Sequence, residues 1–401
     1  MNRIVTIIIA GLFTMSLSTK GQILTPQAEI SVYTLGPFQA ELYSAFGHNA
    51  IRVSDPFNKL DLIYNYGIYD FEQPNFYLNF VKGKPYYLLG VQHYEPFINV
   101  AIHENRKIVQ QVLNLTPEEK QELFDFLQWN AKPENRDYYY NYVYDNCATR
   151  IRDVVDSLFT QVQYDYSYVV EGVTIRDIMD MYLQEQAWGD LGIDFCLGTD
   201  IDKVASGYQY MYMPDFIEKA FAGAYVTVGS KTKPLVKETN IIYEPIPTVD
   251  SKKGFKPFLF FLFLFIVIAL ISYKDLKKDI RTNWLDIMLF SIVGILGWLL
   301  FYLWFFTSHI SEYNFNLLWA IPLHFPIALF LISKKKSKFI QYYFLSTAVL
   351  LLVLLLFWRF WPQNMHESLI PFILALLLRA VLVYLFPNDS KGNWKLPFLK
   401  K

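Results

Sequence analysis

Five long apolar segments near the end of the chain constrain its fold more than any other feature. They cover about residues 255–273, 284–306, 315–333, 338–358 and 368–387. Each has close to the roughly 20 residues that a helix needs to cross a bilayer. The composition, 53% apolar and 18% aromatic, agrees with a membrane protein. We therefore predict an α-helical membrane domain of about five spans over residues 255–401.

The charges between these segments predict their orientation, because cytoplasmic loops carry an excess of Lys and Arg. Loops 307–314 and 361–367 contain neither residue type. The other two loops and the tail hold the clusters Lys274, Lys277, Lys278 and Arg281; Lys334, Lys335, Lys336 and Lys338; and Lys391, Lys395, Lys400 and Lys401. The preceding domain is therefore expected outside and the C-terminus in the cytoplasm, which requires an odd number of spans.

The start of the chain predicts export. A basic residue, Arg3, precedes an apolar run and then small residues, which is typical of a secretory signal over residues 1–21. An uncleaved anchor is the alternative, since the cleavage region is not a clean A-x-A. The predicted exported domain covers residues 22–230, and a polar, proline-containing linker covers 231–254. With 36 basic and 37 acidic residues, nothing indicates nucleic acid as a partner.

Cys147 is the candidate nucleophile of the exported domain. It lies in YVYDNCATRIRDVVDSLF, where Asp145 and Asn146 are possible N-caps of a helix. The apolar residues Ile151, Val154, Val155 and Leu158 have the spacing of one helical face. A cysteine in the first turn meets unpaired N–H groups and the positive end of the helix dipole, which favour a thiolate. Arg150 adds positive charge nearby.

His48 is the candidate base for this thiol. It follows a glycine and opens a predicted hairpin over residues 48–70, with turn residues at 55–58. A turn centred between Pro56 and Phe57 places Asn65 opposite His48, where its side chain would fix the imidazole tautomer. A one-residue slip would present Tyr64 or Tyr66 instead. Asn65 as an ordinary strand residue remains open.

Two aromatic segments suggest contact with lipid. Residues 74–90 combine aromatic side chains with KGK, a mixture suited to the headgroup level of a membrane, although core strand positions would give the same pattern. In NRDYYYNYVYDNC, Tyr138, Tyr140, Tyr142 and Tyr144 alternate as one face of a strand. They are expected to shape an acyl or headgroup pocket, or to contribute to the core.

Three further features bear on the site. In an oxidising compartment Cys147 and Cys196 could form a disulfide, which is the structural alternative to a catalytic Cys147. No metal site is predicted, because the histidines lack companions at ligand spacing. Arg379 is predicted mid-span in the last segment, where a phosphate or carboxylate ligand is expected and a structural ion pair is the alternative.

The motifs of the exported domain resemble a known family. The series GHNAIRV, YNYGIYDF, PNFYLNFVKGKPYYL, NRDYYYNYVYDNCATRIRD and WGDLGIDFCLGTDID is similar to the periplasmic domain of Lnb-type bacterial lipoprotein N-acyltransferases, over about residues 25–225. The membrane half is similar in layout only. GHNAIRV followed by DNCATR also resembles circularly permuted papain-like thiol enzymes, which include NlpC-type peptidases and lecithin:retinol acyltransferase. The fold expected from this resemblance is α+β, a permuted papain-like domain followed by the helical membrane domain.

The resemblance implies acyl transfer from a phospholipid, through a Cys147 thioester, to the N-terminal amine of a lipoprotein at the inner membrane, without a cofactor. His48 would be the base and Asn65 the third catalytic residue. The expected substrate-binding residues are Tyr66, Tyr144, Asn146, Arg150 and Arg379. A periplasmic cell-wall peptidase or amidase and a non-enzymatic envelope assembly module are the two rival functions.

Both substrates of such an enzyme would be anchored in the outer leaflet. We therefore expect the exported domain to dock against the outer ends of the spans. The cleft between His48 and Cys147 should open near loops 307–314 and 361–367.

Overall fold

The computed structural model describes residues 22–69, 71–247, 254–332 and 337–386. Within them, a mixed α/β domain built on β-sheets precedes a helical region. The predicted signal peptide, part of the predicted linker, the lysines at 334–336 and the tail lysines lie outside the described residues.

The described strands form two antiparallel sheets. The larger has the strand order β10-β5-β1-β2-β3-β4-β6 and the smaller has the order β7-β8-β9. The strands are β1 (Glu29–Leu35), β2 (His48–Asp55), β3 (Leu60–Tyr69), β4 (Tyr86–His93), β5 (Ile108–Leu113), β6 (Asp137–Tyr139), β7 (Gln161–Gln163), β8 (Tyr225–Val228), β9 (Lys231–Pro234) and β10 (Val236–Tyr243).

Helices cover both faces of the larger sheet. Those of this domain are α1 (Phe76–Val81), α2 (Tyr94–His103), α3 (Pro117–Asn130), α4 (Cys147–Leu158), α5 (Ile175–Leu183), α6 (Ala187–Cys196), α7 (Gly207–Tyr210) and α8 (Pro214–Ala222). Side chains alternate between the faces along a strand. Accordingly, Ile51 and Val53 of β2 share a hydrophobic cluster with Ile151 of α4, whereas Ala50 clusters with Phe97 of α2.

The predicted linker begins too early. Residues 231–243 form β9 and β10 rather than a linker, and β10 pairs with β5 at the edge of the larger sheet. Polar, half-exposed edge strands resemble a loop in sequence, because only their pairing, of β9 with β8 and of β10 with β5, distinguishes them from one. The described polar segment between the two parts of the chain therefore starts after Tyr243.

The helical region contains α9 (Pro257–Lys278), α10 (Asn283–Phe306), α11 (His324–Phe330), α12 (Lys338–Leu356) and α13 (Leu369–Leu385). Among the described residues, α9, α10 and α12 are long and apolar enough to cross a membrane. The helix α13 is apolar but shorter. The described residues thus contain three candidate spans, and five spans remain a prediction.

The third predicted segment, residues 315–333, is not one helix. It consists of a 3-10 turn, Phe315–Leu318, and the short helix α11. Its backbone packs directly against two glycines of α10: a Cβ on Gly294 would lie 2.1 Å from the Phe325 nitrogen, and one on Gly297 would lie 2.1 Å from the Ala320 oxygen. Such close contact requires glycine. The two glycines thus allow the irregular backbone of segment 315–333 to pack inside the helical region.

The two parts of the chain meet at loops 307–314 and 361–367, as expected. The Ser308 N–H donates to the Lys82 carbonyl at 2.9 Å. Just beyond α6, the Gly198 N–H donates to the Ile310 carbonyl at 2.9 Å, and Gln363 Nε2 donates to the Leu197 carbonyl at 2.8 Å. These contacts tie the end of α1 and the end of α6 to the helical region.

Candidate active site

Asn146 fixes the start of α4 and thereby the position of Cys147. Its Oδ1 accepts hydrogen bonds from the N–H groups of Ala148 and Thr149, at 2.9 and 3.0 Å, and the Thr149 hydroxyl accepts from the Asn146 N–H in return. These reciprocal bonds form a capping box, and they make Asn146, one of the two N-cap candidates from the sequence, the actual cap. The side-chain nitrogen donates to the carbonyls of Tyr142 and Tyr212. Asn146 is therefore a structural residue, in place of the predicted substrate contact.

His48 begins β2, directly after a glycine whose conformation the fold requires. Gly47 has φ +82°, and a Cβ there would lie 2.8 Å from the Leu35 carbonyl oxygen. The His48 side chain lies close enough to Cys147 that each group shifts the pKa of the other, and Cys147 is only 8% exposed. The structure therefore brings together two residues that are a hundred positions apart in sequence.

Asn65 is the third member of this group. Its Oδ1 lies 2.6 Å from His48 Nε2, and the side chain is buried. An amide oxygen is only an acceptor, so Nε2 must carry a proton and donate it. In the neutral imidazole, Nδ1 then carries no proton and can accept the proton of the Cys147 thiol. A general base at this position needs this tautomer.

The pair of Cys147 and His48 favours charge separation. Burial acts to raise the pKa of the Cys147 thiol, but the charge and hydrogen bond of His48, with the N–H groups of Asn49 and Ala148, lower it overall. Burial likewise acts to lower the pKa of His48, and the charge and hydrogen bond of Cys147, with the Asn65 hydrogen bond, raise it overall. Opposite shifts of this kind stabilise a thiolate beside an imidazolium.

The predicted register of the hairpin is wrong by two residues. The structure pairs Ile51 with Tyr64, and continuing this register places Gly67 opposite His48. The turn includes a 3-10 helix and Lys59 with φ 53°, so it is longer than the sequence suggested. Side chains alternate between the two faces of a strand, so residues two positions apart share a face. Asn65 therefore lies on the same face of the sheet as Gly67, the residue opposite His48.

Gly67 and Tyr140 complete the surroundings of the thiol. A Cβ added to Gly67, which has φ +93°, would lie 3.9 Å from the Cys147 Cβ and 3.6 Å from the Tyr140 Cε2. Burial and the charge of Cys147 raise the pKa of Tyr140, which keeps its hydroxyl a proton donor. Sequence reasoning missed Gly67, although a glycine within a strand signals a close approach.

Three other residues predicted to bind substrate have partners of their own. Tyr66 is 1% exposed, and its hydroxyl donates to Asn130 Oδ1 at 2.6 Å, which makes it a core residue. The Arg150 guanidinium forms a two-fold ion pair with Asp145, so its charge is neutralised locally. Tyr144 keeps an exposed ring, and its hydroxyl donates to Asp200 at 2.6 Å.

Arg379 is held by acidic side chains inside the helical region. Its five N–H groups donate to Asp286 twice, to Asp275, to the Ser272 hydroxyl and to the Thr282 carbonyl. These partners lie at the end of α9 and the start of α10, beside the first basic loop. The structural ion pair, the alternative drawn from the sequence, therefore replaces the predicted ligand site.

Both cysteines are free. Cys196 closes α6, and burial raises the pKa of its thiol to about 11, so it is protonated at neutral pH. The disulfide between Cys147 and Cys196 is not formed in this structure. Of the two thiols, only that of Cys147 has a base beside it.

One acidic cluster of the described residues has the spacing of a metal site. The carboxylates of Asp180, Asp190 and Asp194 lie within 4.8 Å of one another, in α5 and α6 rather than beside Cys147. Arg176 pairs with Asp194 at 2.6 Å. Burial and the neighbouring carboxylates raise the pKa of Asp180 to about 8.

The fold and the site define a membrane-tethered domain with a buried Cys–His pair. A family model described as the Lnb N-terminal periplasmic domain matches residues 19–180, and one described as the Lnb transmembrane domain matches residues 249–391. The chain belongs to the Lnb family, which confirms the resemblance drawn from the motifs. A periplasmic domain joined to a transmembrane domain fits a protein of the inner membrane. Searches of curated proteins and of solved structures gave no match.

Proposed function

We propose that this protein is a membrane-bound acyltransferase that moves a fatty acyl chain from a phospholipid to the N-terminal amine of a diacylglyceryl lipoprotein. Membership of the Lnb family supports a function of the lipoprotein N-acyltransferase type. The observation that carries the chemical assignment is the arrangement of Cys147, His48 and Asn65, in which the base is bonded to Asn65 and lies beside the thiol.

In the first half of the reaction, the Cys147 thiolate attacks the carbonyl carbon of the donor ester. The bond between this carbon and the ester oxygen breaks, and the leaving alcohol takes a proton from the His48 imidazolium. The products are a lysophospholipid and a thioester on Cys147. His48 is then neutral, with Nε2–H still donated to Asn65.

In the second half, the lipoprotein amine attacks the thioester carbonyl. Its reference pKa is near 8, so a substantial fraction is neutral at physiological pH. His48 accepts the proton that the amine loses, the carbon–sulfur bond breaks, and the thiolate–imidazolium pair is restored. Water is the competing nucleophile, and the burial of Cys147 limits its access.

Developing negative charge on the carbonyl oxygen needs donors that are already in place. We assign this role to the Cys147 N–H at the start of α4 and to the Tyr140 hydroxyl. Tyr140 lies beside the thiol across Gly67 and remains protonated because its pKa is raised.

We infer that the exported domain has the permuted papain-like fold and that the chain spans the membrane five times. In support of the first inference, the His strand β2 precedes the Cys helix α4, which packs on an antiparallel sheet. In support of the second, α13 and the segment 315–333 add two apolar elements to the three continuous spans. The Lys and Arg content of the loops supports a periplasmic location of the exported domain and a cytoplasmic C-terminus.

Docking explains why both parts are on one chain. Lifting an acyl chain into water would cost about 0.8 kcal/mol for each CH₂ group. Contacts of residues 82 and 198 with loop 307–314 instead hold the domain against the helical region. This arrangement favours a lipid substrate. A domain on a single flexible anchor could reach a cell-wall peptide, so a peptide substrate would not require docking.

Mass spectrometry of lipoprotein N-termini tests the proposal and separates its rivals. Cells that depend on this protein for N-acylation should yield N-acylated lipoproteins with the wild-type chain and free N-termini with Cys147→Ala. A cell-wall peptidase would change the muropeptide profile with unaltered lipoproteins. An assembly module would tolerate Cys147→Ala without either change.

A further inference from the structure

We propose that a run of aromatic side chains forms one wall of the route by which a phospholipid acyl chain reaches Cys147, an inference that rests on the proposed function. The run starts at Tyr140, which borders the Cβ position of Gly67 from one side while Cys147 borders it from another. The ring of Tyr87 stacks on Tyr140 with centroids 4.3 Å apart, and Tyr69 follows at 5.5 Å from Tyr87.

The run continues into α1 and ends at the helical region. Tyr69 contacts Phe71 at 4.9 Å and Phe76 at 6.4 Å between ring centroids. Phe76 stacks on Phe80 at 6.4 Å, and Phe80 reaches the His309 ring at 6.5 Å. His309 belongs to loop 307–314 and bonds the Phe80 carbonyl at 3.1 Å. An unbroken series of ring contacts therefore runs from Tyr140, near Gly67 and Cys147, to loop 307–314 of the helical region.

The outer end of this wall presents apolar side chains that nothing in the described chain covers. Phe71 is 59% exposed and Tyr77 is 72% exposed, and about half of the surfaces of Leu78, Phe80 and Val81 is exposed. Contiguous exposed apolar surface of this kind marks an interaction site. Its position at the 307–314 loop makes bilayer lipid the nearest apolar medium.

The apolar character of the wall fits a hydrocarbon chain as the molecule that binds along it. The rings offer an apolar surface from the outer loop to the thiol, and the occupant must end in a carbonyl carbon at Cys147. Lys82 and Lys84 flank the outer end, where a lipid phosphate would lie when its acyl chain follows the rings. The donor acyl chain meets both requirements, whereas a peptide segment would leave polar backbone groups against the rings.

The test measures how fast the purified full-length protein forms an acyl adduct with long-chain and short-chain esters. Wild type, Tyr69→Ala and Phe71→Glu are each incubated with p-nitrophenyl palmitate in mixed micelles and, separately, with p-nitrophenyl butyrate. Phe57→Glu is the matched control, because Phe57 is a 71% exposed phenylalanine at the other end of the β2–β3 hairpin. Intact mass gives the adduct.

We expect the ratio of palmitoyl to butyryl rates to fall about tenfold or more in Tyr69→Ala and Phe71→Glu, which corresponds to a loss of about 1.4 kcal/mol in preference for the long chain. Phe57→Glu should keep the wild-type ratio. An unchanged ratio in both wall variants, with normal adduct formation in wild type, overturns the route and leaves the proposed function standing. Absence of any Cys147 adduct in wild type contradicts the proposed function itself.

A crosslinking measurement covers the case in which a wall variant fails to fold. Wild-type protein in vesicles that contain a phospholipid with a diazirine near the end of its acyl chain is irradiated and digested. Label on the peptides that carry Tyr69, Phe71 or Phe76 supports the route. Label confined to the membrane helices overturns it.

Discussion

The Asn65 Oδ1 lies 2.6 Å from His48 Nε2, although the hairpin register pairs His48 with the position of Gly67. The contact is diagonal across the two strands, which leaves the space directly opposite His48 to a residue without a side chain. Two residues of β3 thus have separate roles: Asn65 orients the base, and Gly67 leaves space beside the thiol.

Asn65→Ala should slow formation of the Cys147 adduct by about 10- to 100-fold, a loss typical of removing a group that orients a functional imidazole. The loss should be smaller than that of His48→Ala, because the imidazole stays in place and only its tautomer and orientation are freed. Single-turnover rates with a phospholipid donor measure both. A loss in Asn65→Ala as complete as in His48→Ala would assign Asn65 a direct role in the chemistry.

The opposite pKa shifts predict a thiolate at unusually low pH. The pKa of Cys147 is lowered and that of His48 is raised, so each shift favours the thiolate–imidazolium pair. As pH falls through the Cys147 pKa, the thiolate is protonated and reactivity is lost. The iodoacetamide alkylation rate should therefore have its midpoint below about 8.5, the ordinary value for a cysteine.

His48→Ala supplies the control for this profile. Without the imidazolium, the effect of burial dominates and raises the pKa of the Cys147 thiol. The midpoint of the alkylation profile should therefore move to higher pH. The same midpoint in wild type and in His48→Ala would show that His48 does not set the state of the thiol.

Gly67→Ala should abolish most activity, because the added Cβ would fill space beside Cys147 and would also strain the backbone. The positive φ makes a Cβ there costly by about 1–2 kcal/mol, and this Cβ would project beside Cys147 and Tyr140. Gly172→Ala is the matched control: Gly172 has φ +80°, and a Cβ there meets nothing within 4 Å. Both variants should lose similar stability by thermal denaturation, and only Gly67→Ala should lose acyl transfer. Equal activity in the two variants would contradict a role of Gly67 in substrate access.

Arg379→Met should destabilise the helical region rather than weaken lipid binding. Its removal leaves the buried carboxylates of Asp275 and Asp286 without their main partner, a change that typically costs about 3–5 kcal/mol. Arg359→Met removes an exposed pair with Glu367 and should have little effect. Thermal unfolding in detergent measures the difference. A stable Arg379→Met protein with reduced affinity for phospholipid would restore the ligand site predicted from the sequence.

Local signals predicted the start of α4 and the position of His48, whereas the choice of Cys147 and His48 as a pair drew on the family resemblance, and Asn65 was chosen from a register that is two residues off. The cap at Asn146, the apolar face of α4 and the glycine before His48 act within a few residues of the positions that they determine. The burial of Tyr66 and the pairing of Arg150 with Asp145 required knowledge of neighbours, and for this reason both were expected at the substrate.

Features that depend on distant parts of the chain could not be predicted in the same way. The strand β10 exists because β5 pairs with it, and the sequence of residues 231–243 alone resembles a linker. The segment 315–333 has the hydropathy of a span, but the glycines of α10 allow it to pack as broken helix. In the same way, the partners of Arg379 lie about a hundred residues upstream.

The acyl adduct on Cys147 tests the central claim most directly. Purified full-length protein is incubated with phospholipid, digested and examined by mass spectrometry, with and without neutral hydroxylamine. We expect a hydroxylamine-sensitive acyl group on the Cys147 peptide of wild type and of the Cys196→Ala control, and none on Cys147→Ala. Acylation that persists in Cys147→Ala would contradict the assignment of Cys147 as the nucleophile.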